Sequence, residues 1–205
     1  MKKKILYLWD LANTLFPEKW DMSTGFNNYD EYVQSLGYNL DTINPLIYEQ
    51  CYYKPYKQGL YQIKIADGFK EVLSWTRNNE VFTTGNKEQI DWRAEYFLGK
   101  GFFDIRPYFK RINTTFDFGN TNKKTKGMIT TLFKKKITEG YTEIVYTDDK
   151  LANCLLFLEA GQSVKNLKMR VYHIKNDHLG IRKKENYWEI GNLHDLLENE
   201  KKVKT

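Results

Sequence analysis

Hydrophobic and polar positions alternate along most of the chain in blocks that predict strands and helices in turn. The first block, residues 4–16, is a short apolar run that ends in Asp10 and continues into a polar turn. Such a run is typical of a strand buried on both faces in the middle of a parallel sheet. Open α/β sheets place their ligand crevice at the carboxyl ends of the strands, where Asp10 is expected. Taken alone, an Asp here more often starts a turn or caps a helix.

Further strands are predicted at residues 80–83, 143–147 and 169–174, with a weaker candidate at 108–112. Between and after them, apolar residues at helical spacing predict amphipathic helices at about 67–76, 90–97, 126–137, 151–158 and 193–197. Strands that alternate with helices of this length form βαβ units with right-handed crossovers. The pattern therefore predicts an α/β fold with a mainly parallel sheet.

The pattern changes between residues 17 and 65, where the sequence is rich in Tyr, Asn and Gln. Two groups of apolar residues have helical spacing, and each would lie on one face of its own helix. The first group is Tyr29, Tyr32, Val33 and Leu36, and the second is Ile43, Leu46, Ile47 and Tyr48. Pro55 and Gly59 are expected to lead the chain back to the main fold. We therefore predict a small helical insert at 17–65, a core made of 1–16 and 66–200, and a charged C-terminal tail at 201–205.

Composition restricts the class of protein. With 205 residues, of which 41% are hydrophobic and 16% aromatic, the chain is expected to fold around a substantial core. The net charge of +6 comes from dispersed lysines and short lysine runs, with no motif of a nucleic-acid-binding fold. Nucleic acid is therefore a disfavoured partner. Cys51 and Cys154 have no paired spacing, so a disulfide framework is not expected. We therefore expect a reducing, cytoplasmic compartment.

The N-terminus briefly resembles a signal peptide, because lysines at positions 2–4 precede apolar residues. Asp10 interrupts the apolar run too early for that assignment. No segment is long and apolar enough to cross a membrane. We therefore expect no membrane association.

Four polar features fall at predicted strand ends or helix starts. Asp10 follows the first strand, Thr84 the second, and the pair Asp148 and Asp149 a later one, while Lys126 opens the helix before that last strand. Because the carboxyl ends of parallel strands lie on one edge of the sheet, these residues are expected to meet in one crevice. Each has a simpler structural explanation, such as a turn, a helix cap or a solvated lysine. Because all four features are expected at the same edge of the sheet, a common functional site is favoured over four separate structural roles.

This order of motifs resembles the haloacid dehalogenase-like hydrolase superfamily. The segment 9–16, Trp-Asp-Leu-Ala-Asn-Thr-Leu-Phe, is similar to its first motif, and 81–84, Val-Phe-Thr-Thr, to its second. The third motif, a lysine that starts a helix, matches Lys126, with Lys123 and Lys124 as competitors. The fourth, an acidic pair after a strand, matches 145–149, and Asn153 lies where related sequences often carry an Asn. The resemblance covers about 1–16 and 66–200.

The resemblance implies a Rossmann-like three-layer fold with a helical cap in place of the insert. It also implies that Mg²⁺ is held by Asp10, the backbone carbonyl of Ala12, Asp148 and Asp149. Asp10 would attack a phosphoryl group and form an aspartyl intermediate, which water then hydrolyses. Thr84, Gly85 and Lys126 would bind the phosphate, Lys126 also acting in catalysis.

The sequence departs from the phosphatase pattern at Ala12, where phosphatases of the family carry a second Asp as general acid. Three explanations stay open: a substrate that needs no such acid or an acid from the cap, a protein that binds without catalysis, and a slow phosphatase that uses water. The phosphonate-cleaving branch also carries Ala here and uses a cap lysine, for which Lys54, Lys57 and Lys64 are candidates. The dehalogenase branch relies on an arginine, and the insert contains Tyr52, Tyr53 and Tyr56 but no arginine.

The sequence therefore predicts a Mg²⁺-dependent hydrolase of the phosphatase class that acts on a small phosphorylated metabolite. A catalytically inactive protein that binds metal, phosphate or a partner is the alternative, followed by a nucleic-acid-binding module. The substrate and the oligomeric state stay open.

Overall fold

A computed structural model describes the chain at residues 4–119, 121–175 and 180–204. Within these residues the strands are β1 (Ile5–Trp9), β2 (Glu18–Trp20), β3 (Tyr61–Ile63), β4 (Asn79–Thr83), β5 (Arg111–Thr114), β6 (Glu143–Asp148), β7 (Lys168–Ile174), β8 (Ile181–Lys183) and β9 (Trp188–Ile190). The helices are α1 (Tyr29–Ser35), α2 (Pro45–Lys57), α3 (Phe69–Thr76), α4 (Glu88–Gly99), α5 (Lys126–Thr138), α6 (Leu151–Gln162) and α7 (Leu193–Lys204). Short 3₁₀ helices occur at Met22–Thr24, Arg106–Tyr108 and Thr115–Asp117.

Seven strands form the main sheet in the order β5-β4-β1-β6-β7-β9-β8. All neighbouring pairs are parallel except β8 with β9. The chain runs from β1 outward to β4 and β5, and then returns to place β6 on the other side of β1. This reversal of direction opens a crevice at the carboxyl ends of β1, β4 and β6. The α/β class with a mainly parallel sheet is confirmed.

Strand β1 divides its side chains between two cores, one on each face of the sheet. Leu6 and Leu8 pack with apolar residues of α5 and α6, whereas Tyr7 and Trp9 pack with those of α3, α4 and α7. All four side chains are 0–1% exposed. Because successive residues of a strand point to opposite faces, this burial explains why the apolar run of β1 is continuous. With helices packed on both faces of the sheet, the fold has the predicted three layers.

The insert between β1 and α3 contains α1 and α2, as the helical spacing predicts, together with a small sheet that the pattern does not indicate. In that sheet β2 and β3 pair antiparallel, with Glu18 opposite Ile63 and Trp20 opposite Tyr61. The two strands carry the chain into the insert and back out. Pro55 does not end α2, which continues to Lys57, and the turn follows at Gly59 with φ of +72°.

Two other expectations need correction. The residues expected as a tail at 201–205 are helical as far as Lys204, because α7 packs on the sheet through Leu193, Leu196 and Leu197. Its buried Glu200 accepts hydrogen bonds from Arg170, which anchors the last turns. The weak strand candidate at 108–112 begins as a 3₁₀ turn and becomes strand only at Arg111. No helix among the described residues is long and apolar enough to cross a bilayer.

Candidate active site

Three carboxylates meet where β1 and β6 end. In the parallel register Trp9 lies beside Thr147, and the amide of Asp10 donates to the Thr147 carbonyl at 3.0 Å. The next residues, Asp10 and Asp148, therefore lie side by side, and Asp149 follows immediately. A carboxylate oxygen from each of the three lies within 4.8 Å of the others. The structure thus brings together the acidic residues that the sequence places at two separate strand ends.

The lysine of this cluster is Lys124, one of the two competitors of Lys126. The Lys124 ammonium is fully buried and lies 2.6 Å from Asp10 Oδ1 and 2.7 Å from Asp148 Oδ2. Lys126 instead pairs with Glu159 on the surface, with its side chain 48% exposed. Helix α5 does begin at Lys126, but its first turn directs that side chain outward, while Lys124 lies in the preceding loop and reaches inward. Lys123 is exposed.

Thr84 and Ala12 line a cavity of about 370 Å³ beside the carboxylates. Thr84 comes one residue after β4 ends, and its carbonyl accepts a hydrogen bond from the Thr115 hydroxyl at 3.3 Å. The amide of Gly85 donates to the Thr83 hydroxyl at 3.3 Å, beside the cavity. A Cβ at Gly85 would come within 1.7 Å of Gln89 Nε2, so a larger residue there would displace the end of the Gln89 side chain.

Several solved structures resemble the chain, two of them over nearly its whole length, whereas no family model and no curated protein sequence matches it. One is UTR4 protein (Unknown transcript 4 protein) of Saccharomyces cerevisiae, with a TM-score of 0.55, 12% identity, and coverage of 92% of this chain and 97% of that one. The other is a predicted phosphoglycolate phosphatase of Haemophilus somnus 129PT, with a TM-score of 0.56, 13% identity, and coverage of 95% and 97%. The chain has a haloacid dehalogenase-like fold.

Within this haloacid dehalogenase-like fold, Tyr146 contacts two members of the cluster, Lys124 and Asp148. Its hydroxyl donates to Asp148 Oδ2 and accepts from the Lys124 ammonium at 2.8 Å. Its ring stacks on Phe157, with centroids 3.5 Å apart. The Asn153 amide also donates to Asp148 Oδ2, at 3.0 Å. These contacts fix the positions of Asp148 and Lys124.

Burial and charge give the carboxyl groups unequal proton affinities. Burial raises the pKa of Asp10 to about 7, with the Asp148 charge acting in the same direction and Lys124 in the opposite one. Burial and the Asp148 charge also raise the pKa of Asp149 to about 6. Burial acts to raise the pKa of Asp148, but the Lys124 ammonium and several hydrogen bonds bring it below its usual value. Ionisation of all three carboxyl groups is therefore unfavourable without a positive charge in addition to that of Lys124.

The donor set fits a magnesium ion. Carboxylate oxygens are the ligands that Mg²⁺ prefers in proteins. When the carboxyl groups of Asp10, Asp148 and Asp149 are all ionised, the single charge of Lys124 leaves two negative charges uncompensated. One divalent cation would balance them. These three residues are therefore the ones that could hold it.

The insert contributes residues to the cavity lining that the sequence did not indicate as site residues. Trp20, Tyr29 and Tyr48 line it from the cap, together with Glu18 beside them. Arg93 of α4 also lines it, and its guanidinium pairs with Glu18. Helical spacing indicated only that Tyr29 and Tyr48 lie on the apolar faces of helices. Tyr146 could have been noticed, because alternation in a strand places residues 146 and 148 on the same face.

Among the cap lysines considered for a phosphonate-type mechanism, Lys64 is exposed and does not line the cavity. The side chains of Lys54 and Lys57 lie outside the described residues, as do those of Tyr52, Tyr53 and Tyr56. Among the described side chains, the cavity lining therefore gives no reason to choose Lys64.

Proposed function

We propose that the protein is a Mg²⁺-dependent hydrolase of small phosphate monoesters that works through an aspartyl intermediate. The observation that carries this proposal is the cluster of Asp10, Asp148 and Asp149 around the buried Lys124, at the floor of a capped cavity. The likeness to a predicted phosphoglycolate phosphatase supports the same class of reaction.

Asp10 is the proposed nucleophile. Its carboxylate lies at the cavity floor and is held at one oxygen by the Lys124 ammonium, which leaves the group oriented toward the cavity. Lys124 offsets the negative charge of Asp10 and Asp148, so an anionic phosphate can approach. Thr84 lines the cavity beside them and is the proposed hydrogen-bond donor to the phosphate. A Mg²⁺ ion bound by the three aspartates would supply further charge neutralisation at the transferring group.

Asp10→Asn tests the nucleophile. With Mg²⁺ and a panel of phosphate esters and phosphonates, we expect turnover to fall at least ~10³-fold, because an amide oxygen cannot form the acyl-phosphate intermediate. Phosphate release measures turnover, and circular dichroism checks that the variant is folded. Equal activity in the two proteins would exclude Asp10 as nucleophile.

A non-catalytic protein that binds phosphate or metal is the second candidate, and two observations favour it. Ala12 cannot transfer a proton, and general acid–base assistance is typically worth about 10²–10⁴-fold. The Lys124 ammonium is engaged by three groups of the protein, Asp10, Tyr146 and Asp148. Ala12→Asp distinguishes the candidates, because a hydrolase that lacks only its acid should gain about tenfold or more in kcat. An inactive binding protein should gain nothing.

A further inference from the structure

The cavity above the carboxylates is larger than a phosphate group needs. Its volume of about 370 Å³ lies within the range of roughly 300–1,000 Å³ that is typical of small-molecule sites. Asp10 and Asp149 of the carboxylate cluster line it from the core, and Trp20, Tyr29 and Tyr48 line it from the cap. We call these three residues the aromatic wall. The wall faces the space that the organic part of a phosphate ester would occupy.

The polar atoms of the aromatic wall are engaged inside the cap. Trp20 Nε1 donates to the Thr24 hydroxyl at 2.8 Å. The Tyr29 hydroxyl donates to the carbonyl of Tyr48 at 2.7 Å, and the Tyr48 hydroxyl donates to Asp30 at 2.7 Å. What the wall offers a ligand is therefore chiefly ring surface, which favours stacking over directional polar contacts.

The rings of the wall also support one another. Tyr29 packs edge-on against Tyr48, with centroids 5.1 Å apart, and against Trp20, with centroids 6.2 Å apart. Trp20 and Tyr29 are 8% and 6% exposed. Such a wall is formed before the ligand arrives, so binding loses little side-chain entropy.

The charged pair at the edge of the cavity does not favour a second anionic group on the ligand. Arg93 is 4% exposed, and its guanidinium is paired with Glu18 and donates to the side-chain oxygen of Gln89 at 3.1 Å. Its charge is therefore balanced within the protein. At Arg93, a short carboxylate-bearing ester such as phosphoglycolate would meet a cation that is already paired with Glu18, and it would leave the aromatic wall without a contact.

We propose that the aromatic wall binds a planar ring, so that the substrates are phosphate monoesters whose alcohol part carries such a ring. The assignment of a phosphate group to the substrate rests on the proposed function, whereas the assignment of a planar ring rests on the aromatic wall alone. Aromatic rings stack on one another with an energy beyond that of apolar burial, and the cavity volume of about 370 Å³ leaves room for one ring in addition to the phosphate.

The first test compares benzyl, cyclohexylmethyl and ethyl phosphate with 2-phosphoglycolate. The alcohols of the first three are similar leaving groups, so differences in kcat/KM report binding of the organic part. We expect benzyl phosphate to exceed ethyl phosphate about tenfold or more, and cyclohexylmethyl phosphate to lie between them, because it is apolar but not planar. Equal values for benzyl and ethyl phosphate, or a preference for 2-phosphoglycolate, would overturn the ring assignment and leave the hydrolase proposal standing.

The second test uses variants of the wall. Tyr48→Leu should reduce the ratio of kcat/KM for benzyl over ethyl phosphate about fivefold, whereas Tyr48→Phe should keep the ratio, because it removes only the hydroxyl. Tyr38→Leu is the matched control, since Tyr38 is a cap tyrosine that is 40% exposed on the surface. A ratio that stays unchanged in Tyr48→Leu would contradict a role for the ring.

A third test does not depend on turnover. Isothermal titration calorimetry with benzylphosphonate and ethylphosphonate measures binding to the native protein directly. Tighter binding of benzylphosphonate by about tenfold supports the wall even if no ester is hydrolysed, in which case the hydrolase proposal fails and the ring assignment stands. Equal affinities would overturn the ring assignment.

Discussion

At the scale of single residues, two lysines only two positions apart have different surroundings. Lys124 is completely buried against Asp10 and Asp148, whereas Lys126 pairs with Glu159 at the surface. A buried lysine between two carboxylates balances charge that water cannot screen, while an exposed pair contributes little. The pair of residues therefore offers a matched comparison within one short segment.

We expect Lys124→Met to lower kcat/KM by about 10²-fold or more, because the phosphate would then approach uncompensated carboxylates. Lys126→Met should stay within about twofold of the native protein, since its partner is exposed. Phosphate release with Mg²⁺ measures both. Similar losses in the two variants would show that the buried lysine has no special role.

At the scale of secondary-structure elements, α7 is fixed to the sheet by a buried polar network. Glu200 accepts hydrogen bonds from the hydroxyls of Tyr7 at 2.6 Å and Tyr172 at 2.7 Å, and from Arg170 at 2.8 Å. Burial and the Glu200 charge raise the pKa of both tyrosines above the ordinary value near 10. The last helix of the chain is therefore joined to β1 and β7 by groups that are sensitive to alkali.

The pH dependence of this network has a definite sign. In the unfolded chain the tyrosines ionise near pH 10, whereas in the folded protein they keep their protons to higher pH. Their contribution to stability is therefore fully present below pH 10 and is lost as the pH rises further. We expect the free energy of unfolding, measured in urea by circular dichroism, to fall above pH 10.

Tyr7→Phe should be less stable than the native protein at pH 8 by about 1.5–3 kcal/mol, because a hydrogen bond to a buried carboxylate is lost. Its loss of stability above pH 10 should be smaller than that of the native protein. Tyr38→Phe, at an exposed tyrosine, is the control and should keep the native pH dependence. An unaltered alkaline slope in Tyr7→Phe would contradict the role of the network.

At the scale of the whole molecule, the proposed magnesium site at the acidic cluster would couple folding stability to the metal and to pH. Asp10 and Asp149 have raised pKa values of about 7 and about 6. Their contribution to the stability of the metal-free protein is present below the unfolded pKa near 4 and is lost as the pH rises through about 6–7. A cation that binds the ionised carboxylates should restore this stability at high pH.

We therefore expect about 10 mM Mg²⁺ to raise the melting temperature more at pH 8 than at pH 5.5, where protons compete for the same oxygens. Differential scanning fluorimetry at matched ionic strength measures this shift. Asp149→Asn should reduce the shift at pH 8. Asp21→Asn, at an Asp in a turn of the cap and outside the cluster, should not. A shift that is the same at both pH values would argue against binding at this cluster.

The local pattern of the sequence determined the order and type of most core elements. The apolar run of β1, the helical spacing of α3 to α6 and the polar residues after β1, β4 and β6 follow from the backbone periods of strands and helices, which act over a few residues. The edge on which Asp10, Thr84, Asp148 and Asp149 were expected to meet also follows, because parallel strands end on one side. These features need no knowledge of long-range packing.

Only the tertiary structure decided which residues complete the site. Lys124 and Asp10 are 114 positions apart, and their contact depends on how the segment before α5 packs, which no local period encodes. Tyr146 and the aromatic wall gain their positions from stacking and cap closure in the same way. The helical end of α7 likewise depends on Glu200 meeting Arg170 of β7. Distant residues interact only after the elements have packed, so their partners become visible at that stage.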